Sequence, residues 1–203
     1  MSSGTQKQTP KDWAGDAQNA STDGEFKRDT NYIGDRILAS VTGDNPQPSV
    51  SGSGETLDWP VQPHRYRLIA ARACPWAHRA VIVRRLLGLE NVISSGLAGP
   101  THDKRSWTFD LDPDGLDPVL RIPRLQDAYF ARFPDYPRGI TVPAIVEESS
   151  GKVVTNDFNS MVRDFQTEWT EYQREGAPNL LPPSEQQEEM EEINDFIFRK
   201  LNN

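Results

Sequence analysis

A short apolar run that passes almost directly into a Cys-Pro pair constrains the fold of this sequence more than any other feature. Residues 66–71 have the composition of a buried strand, and Cys74 and Pro75 follow them. Proline suits the first position of a helix because its φ angle is already helical and its missing N–H would have no partner there. Residues 80–89 then carry apolar side chains and run into a turn at 88–91. The sequence therefore predicts a strand, a sharp turn and a helix, with Cys74 at the helix N-terminus.

The elements that follow complete an α/β pattern. A second short strand is predicted at 92–93, and part of the long Pro- and Gly-rich connection after it, at 123–132, is predicted to be helical. Residues 140–146 and 152–155, joined by a Ser-Ser-Gly turn, are typical of a hairpin. The order strand, helix, strand and then hairpin is that of a thioredoxin-like domain.

Two helices are predicted after the hairpin. Apolar side chains at helical spacing indicate a helix over 157–175, capped by Thr155 or Asn156 and ended by Gly176. A second helix is predicted to begin at Ser184, where a capping box is present, and to run into the C-terminus. The predicted fold class is therefore α/β, with a thioredoxin-like N-terminal domain followed by the start of an all-helical domain.

Composition divides the chain into three predicted regions. Residues 1–58 are rich in Ser, Thr, Gly, Asp, Asn and Pro without helical or strand periodicity, and we expect a mostly disordered N-terminal extension. The exception is 24–28, where an aromatic residue flanked by charges could dock as a short extended segment. Residues 59–175 are predicted to form the thioredoxin-like, thiol-binding domain, and residues 176–203 the start of the helical domain.

Charge and composition exclude several kinds of partner. With 22 Lys and Arg against 30 Asp and Glu, the formal charge is -8, whereas nucleic-acid binding needs a basic face. No apolar stretch approaches the ~18–20 residues that cross a bilayer, and residues 1–13 lack the apolar core of a secretory signal. One cysteine and three scattered histidines give neither a disulfide nor a zinc site. We expect a cytoplasmic protein without nucleic-acid, membrane or metal partners.

The single cysteine, Cys74, is the candidate nucleophile. At a helix N-terminus, unpaired N–H groups and the helix dipole favour a thiolate over a thiol. The alternative for a lone cysteine is an inert, buried, small hydrophobic residue. Because the chain has no second cysteine, a mixed disulfide at Cys74 needs an external thiol, most simply glutathione, to resolve it.

The dipeptide Val142-Pro143 is the second candidate element of the site. A proline that opens a strand in this order of elements often has a cis peptide bond, which turns the preceding backbone toward the active cysteine. The backbone N–H and C=O of Val142 would then pair with an extended, peptide-like ligand. An ordinary edge-strand proline is the alternative interpretation of Pro143.

Taken in order, several segments resemble one family. Residues 65–73, the string Cys-Pro-Trp-Ala-His-Arg at 74–79, and residues 82–93 resemble the glutathionyl-hydroquinone reductases, the xi class of glutathione transferases. Shorter matches follow the same order at 23–26, 106–109, 135–136, 141–143 and 154–157. The resemblance covers about residues 23–203. It implies that the second domain is the start of a glutathione-transferase C-terminal domain, and that the enzyme removes glutathione from glutathionyl-hydroquinones through a mixed disulfide that a second glutathione reduces.

The resemblance also implies roles for particular residues. Cys74 would be the nucleophile, and Trp107 would pack on the bound glutathione. Val142, which precedes Pro143, would pair with the cysteinyl backbone of the glutathione. Arg138 is the best match to an arginine that the family has near the thiol.

The family pattern changes at the position that would hold the γ-glutamyl end of glutathione. The family usually has Glu-Ser where this chain has Asp157 and Phe158. One carboxylate survives and a hydroxyl is lost, which shifts affinity or favours another low-molecular-weight thiol. Asp157 also has a plain interpretation as an acidic residue at a helix N-terminus.

The resemblance ends at an early helix of the family's C-terminal domain. We therefore expect a truncated chain whose full-length parent is a homodimeric enzyme with a small-molecule thiol and a quinol-type substrate. Two alternatives remain open. One is an omega-like monothiol thioltransferase or dehalogenase that uses the same nucleophile, and the other is a non-catalytic, transferase-like binding module.

Overall fold

The computed structural model describes residues 32–49, 56–100, 102–103 and 105–200. Its strands are β1 (Arg36–Leu38), β2 (Gln47–Pro48), β3 (Leu57–Pro60), β4 (Tyr66–Ala71), β5 (Ile93–Ala98), β6 (His102–Asp103), β7 (Ser106–Trp107), β8 (Ala144–Glu147) and β9 (Val153–Thr155). Its helices are α1 (Pro75–Leu86), α2 (Leu125–Arg132), α3 (Phe158–Thr167) and α4 (Ser184–Lys200).

The central sheet has the strand order β5-β4-β8-β9. Strand β4 runs parallel to β5 and antiparallel to β8, and β8 runs antiparallel to β9. All of β4 is buried because the strand lies inside the sheet and both of its faces are covered. This topology confirms the predicted thioredoxin-like arrangement.

Each face of the central sheet carries its own apolar cluster. Neighbouring side chains of a strand point to opposite faces, and Leu68 and Ile69 of β4 accordingly belong to different clusters. Residues of α1 and α3 pack with Leu68, whereas residues of α2 pack with Ile69. The helices thus enclose the sheet from both sides and hold the C-terminal end of β4 next to the start of α1.

Part of the region predicted to be a disordered extension is ordered. Strand β1 pairs in parallel with β3, and β2 pairs antiparallel with β3. Asp35 accepts hydrogen bonds from Trp59 Nε1 and from Arg132, while Arg36 pairs with both carboxylate oxygens of Asp164. We call residues 32–38 the N-terminal strap. Ile33 and Ile37 of the strap are buried in the two apolar clusters, and polar contacts between distant residues hold the rest. Two isolated apolar residues form no periodic pattern, so the sequence gave no sign of the strap.

Other parts of the predicted extension are outside the described residues. These parts include the segment 24–28, for which we predicted docking.

The helix predicted over 157–175 is shorter than expected. Helix α3 ends at Thr167, and its N-cap is Asp157 rather than Thr155 or Asn156. After the helix, the side-chain amide of Gln173 donates to the carbonyls of Phe165 and Gln166. In a longer helix these carbonyls would accept from backbone N–H groups of the next turn, so the amide takes the place of those donors. Apolar residues past the helix end, such as the fully buried Trp169, explain why the periodic pattern continued beyond it.

Helix α4 begins at Ser184, as predicted, and none of its residues is buried. Its apolar residues Ile193 and Phe196 are 51% and 60% exposed, whereas Phe198 contacts the ring of Phe158 on α3 at 6.1 Å between centroids. Among the described residues, no helix combines the length and the apolar character that crossing a bilayer requires.

Candidate functional site

Cys74 occupies the position predicted from the sequence, directly before the first residue of α1. Its N–H donates to the carbonyl of Ala71 at 3.1 Å, which closes the turn after β4, and its carbonyl accepts from the N–H of His78 at 3.1 Å. The side chain is half-buried. The positive end of the helix dipole lies at the N-terminus of a helix, so Cys74 is next to the positive end of α1.

The sulfur of Cys74 contacts the backbone of Val142. Sγ donates to the Val142 carbonyl oxygen at 3.3 Å, and the Val142-Pro143 peptide bond is cis. Of the two interpretations of Pro143 that the sequence left open, the structure has the one with a cis bond and with this turn next to Cys74. We call residues 140–143 the site turn, since this segment lies immediately before β8 and faces the cysteine.

Side chains from separate elements hold the carbonyl groups of the site turn. Ser106 Oγ donates to the Ile140 carbonyl at 2.8 Å, and the Tyr129 hydroxyl donates to the Thr141 carbonyl at 3.0 Å. Burial raises the pKa of Tyr129, so its hydroxyl stays protonated and can donate. Residues 140–143 belong to no strand, and buried backbone groups outside a strand need such partners.

Ser106 is held in an unusual backbone conformation for a residue other than glycine. Its φ is 77°, in the left-handed region, and the residue is completely buried. Such conformations cost of order 1–3 kcal/mol and persist only where the surroundings impose them. The hydrogen bond to Ile140 is one such constraint, and it ties β7 to the site turn.

We expect Ser106→Ala to lower the free energy of unfolding by about 1–3 kcal/mol, because the Ile140 carbonyl would lose a partner inside the protein. Denaturation in urea measures the change. Ser149→Ala is the matched control, since Ser149 is exposed and surface substitutions usually stay within about 0.5 kcal/mol. Equal losses for the two variants would contradict the assigned role of the buried hydroxyl.

Trp107 and Arg138 lie on segments that lead to the site turn. Trp107 follows Ser106 in β7, is partly buried, and packs against the apolar cluster that also contacts Cys74 and contains Val142. Arg138 is half-buried in the loop between α2 and the site turn. Trp107 therefore adjoins a residue that holds the site turn, whereas Arg138 precedes the turn in the chain.

Asp157 and Phe158 make contacts within the protein. The Asp157 carboxylate accepts from the N–H groups of Asn159 and Ser160 at 3.1 and 3.4 Å, and from Ser160 Oγ at 2.7 Å. Phe158 is 4% exposed and packs edge-on against Trp76 at 6.4 Å between ring centroids. These contacts are capping for Asp157 and core packing for Phe158. The Trp76 contact also sets the starts of α1 and α3 side by side.

Sequence reasoning missed several residues of the site. It assigned no role to Tyr129 or Thr141, used Ser106 only as part of the family match, and treated Asn156 as a helix cap. The sequence pointed to these residues only indirectly. A proline-containing segment outside a strand needs polar side chains nearby to satisfy its carbonyls, but the sequence does not say which distant residues supply them. Within the described residues, no group of three or more His, Cys, Asp or Glu side chains could hold a metal ion.

The known proteins that this chain resembles are named as glutathione transferases, omega-like glutathione transferases and glutathionyl-hydroquinone reductases. Residues 73–168 match the family model described as Glutathione S-transferase, N-terminal domain. The chain is 30% identical over 185 residues to Glutathionyl-hydroquinone reductase YqjG of Escherichia coli (strain K12), covering 90% of this chain and 53% of that protein.

Two solved structures share the fold. One is a glutathione transferase from Gordonia bronchialis, with a TM-score of 0.74, 58% identity, and coverage of 85% of this chain and 49% of that chain. The other is the glutathione-S-transferase Xi from Phanerochaete chrysosporium, with a TM-score of 0.75, 29% identity, and coverage of 91% and 55%. The chain spans about half the length of the curated relatives it matches.

Proposed function

We propose that this chain binds glutathione and uses Cys74 to remove glutathione from glutathionyl-hydroquinones, since residues 73–168 match the glutathione S-transferase N-terminal domain and the fold is similar to that of a Xi-class structure. One observation carries the proposal. The Cys74 sulfur lies at the start of α1 and 3.3 Å from the carbonyl oxygen of Val142. The proposed nucleophile and the proposed peptide-binding edge are therefore next to each other.

The proposed reaction has two steps. The Cys74 thiolate attacks the thioether sulfur of the glutathionyl-hydroquinone, the bond between that sulfur and the ring carbon breaks, and the carbon takes up a proton to release the hydroquinone. The ring carbon is reduced and the two sulfurs are oxidised to a disulfide between Cys74 and glutathione. A second glutathione thiolate then attacks this disulfide, which releases glutathione disulfide and restores the Cys74 thiolate.

The backbone of Val142 gives the proposed binding mode. An extended peptide pairs with such an edge through main-chain hydrogen bonds, as an added strand does. In the structure the Val142 carbonyl accepts from the Cys74 sulfur. A ligand N–H that binds the same carbonyl competes with the thiol for it, which favours release of the sulfur as a nucleophile.

Asp157 and Arg138 supply the proposed charged contacts. Asp157 caps α3, but a carboxylate has about four acceptor positions and can still accept from the ammonium of a γ-glutamyl group. Arg138 would act on the carboxylates or the thiol of the ligand. Phe158 is a packing residue in this scheme, and it stands at the position where the family pattern has a serine.

We expect Trp107→Ala to weaken glutathione binding by about three- to tenfold, because a partly exposed indole ring packs on a ligand with a free energy of about 0.5–1.5 kcal/mol. Titration calorimetry measures the dissociation constant. Trp107→Phe is the control, since it keeps an aromatic face. Unchanged affinity in the alanine variant would contradict the role of Trp107.

Substrate comparison tests the reaction itself. The protein is given a glutathionyl-hydroquinone, a mixed disulfide of glutathione and an α-haloketone, each with reduced glutathione, and product formation is measured. The proposal predicts the greatest acceleration for the glutathionyl-hydroquinone. A preference for the disulfide or the haloketone would support an omega-like activity. Glutathione binding without acceleration of any reaction would indicate a binding module.

A further inference from the structure

One buried side chain connects the N-terminal strap with the site turn. Asn156 Oδ1 accepts from the backbone N–H of Ile33 at 2.7 Å, and Asn156 Nδ2 donates to Thr141 Oγ1 at 2.8 Å. Asn156 is 3% exposed. Because a backbone N–H can only donate, the oxygen of the amide must face Ile33, and the NH₂ group must therefore face Thr141.

Thr141 sits next to the residue that contacts the cysteine. It precedes Val142, whose carbonyl accepts from Cys74 Sγ. The Thr141 carbonyl is held by the Tyr129 hydroxyl, whereas its side-chain hydroxyl is held by Asn156. The two contacts use different atoms of Thr141, so they limit both the translation and the rotation of the site turn. Asn156 thus acts one residue away from the proposed peptide-binding edge.

The strap end of this connection is itself fixed. Thr155 Oγ1 donates to the Ile33 carbonyl at 2.6 Å, so Thr155 and Asn156 hold the two backbone groups of Ile33. Asp35 and Arg36 then anchor the following residues of the strap to Arg132 and to Asp164. The strap therefore gives Asn156 a rigid partner on the side opposite to the site turn.

We propose that Asn156 is a positioning residue that holds the site turn in the geometry needed to pair with the glutathione backbone, with the N-terminal strap as its support. The inference rests on the proposed function for its ligand, but the contacts themselves do not depend on it. Asn156 touches no reacting atom in this scheme. It acts through Thr141 and Val142.

The test compares two reagents that attack the same sulfur. Glutathione disulfide must use the site turn to reach Cys74, whereas iodoacetamide is too small to need the turn. For Asn156→Ala and Thr141→Val we expect the rate of glutathione adduct formation to fall about tenfold, as for the loss of one hydrogen bond. Alkylation by iodoacetamide should stay within about twofold of the unsubstituted protein.

Three further variants separate positioning from general stability. Gln173→Ala removes a side-chain amide that donates to the carbonyls of Phe165 and Gln166. These groups lie at the end of α3 remote from Asn156, so this variant should leave the ratio of the two rates unchanged. Thr141→Ser keeps the hydroxyl and should restore the rate with glutathione disulfide. The double variant of Asn156→Ala and Thr141→Val should be no slower than either single variant, because both remove the same contact.

Several results would overturn the inference. Equal slowing with both reagents would indicate a general loss of structure, and no slowing would show that Asn156 is not needed. If the unsubstituted protein forms no adduct with glutathione disulfide, the proposed function fails instead. Hydrogen exchange across 140–146 then decides the inference, which predicts faster exchange in Asn156→Ala and in Thr141→Val than in Gln173→Ala. Equal exchange in the three variants would refute it.

Discussion

Serine in place of Cys74 is expected to lower the release of glutathione from a glutathionyl-hydroquinone on the order of 10³-fold or more. A serine hydroxyl is not ionised near neutral pH, and its oxygen cannot form the disulfide through which the proposed reaction passes. Sγ is also the atom that contacts the Val142 carbonyl. The reaction is run with reduced glutathione, and chromatography measures the rate at which free hydroquinone forms.

Binding provides the control for Cys74→Ser. The proposed peptide-binding edge belongs to Val142, so the serine variant should bind glutathione within about threefold of the unsubstituted protein. His78→Ala is a second control, since His78 is exposed on the same helix and is given no catalytic role. Hydroquinone release that survives in Cys74→Ser would exclude a covalent role for the sulfur.

Asp35→Ala is expected to lower the free energy of unfolding by about 3–5 kcal/mol, the usual result of removing one partner of a buried ion pair. Asp35 is 2% exposed and accepts from Trp59 Nε1 at 2.7 Å, from Arg132 at 2.6 Å and from the N–H of Leu57 at 3.1 Å. The substitution would leave all three donors without this acceptor. Because a domain has only about 5–15 kcal/mol of net stability, the midpoint of unfolding in urea should fall sharply.

Glu191→Ala is the matched control for the Asp35 variant. Glu191 pairs with Arg163 at 2.6 Å, but both side chains are more than half exposed. Exposed ion pairs contribute about 0–1 kcal/mol, so this variant should unfold close to the unsubstituted protein. If Asp35→Ala were as mild as Glu191→Ala, the N-terminal strap would not be an integral part of the fold.

Local sequence signals were sufficient for the elements that carry Cys74. Strand β4 and helix α1 are adjacent in the chain, and their apolar pattern and Pro75 define both. The approach of Val142 to Cys74 is a long-range contact, yet it was predicted because the order of elements indicated a thioredoxin-like fold. Knowledge of topology therefore located the two central residues of the candidate site before any distance was known.

Sequence patterns could not predict the N-terminal strap. Its contacts join residues 123 and 128 positions apart, as in the pairs Ile33 with Asn156 and Arg36 with Asp164. Single carboxylates, arginines and amides are common on protein surfaces, so their presence alone gives no sign of burial. The same limit applies to Tyr129 and Ser106, whose hydroxyl groups reach the site turn from other elements. Only the hydrogen bonds that these hydroxyls donate to carbonyl groups of the site turn identify their roles.

The pair Asp157 and Phe158 illustrates how a family pattern and local chemistry compete. The pattern predicted ligand contacts for both residues. In the structure Asp157 caps α3 and Phe158 is buried against Trp76. A residue with a complete set of internal contacts can still bind a ligand, as we propose for the Asp157 carboxylate, but a buried phenyl ring cannot replace the missing hydroxyl. In the proposed binding mode, affinity for the γ-glutamyl end would therefore depend on Asp157 and on groups outside this pair.

Mass spectrometry of the intact protein after exposure to glutathione disulfide is the most direct test of a nucleophilic Cys74 beside a peptide-binding turn. The account predicts one glutathione adduct, located on Cys74 by peptide mapping and removed when reduced glutathione is added. The contradictory result is an unmodified protein under native conditions in which iodoacetamide still alkylates the same sulfur. A reachable cysteine that glutathione disulfide does not modify would show that the site turn does not bind the tripeptide.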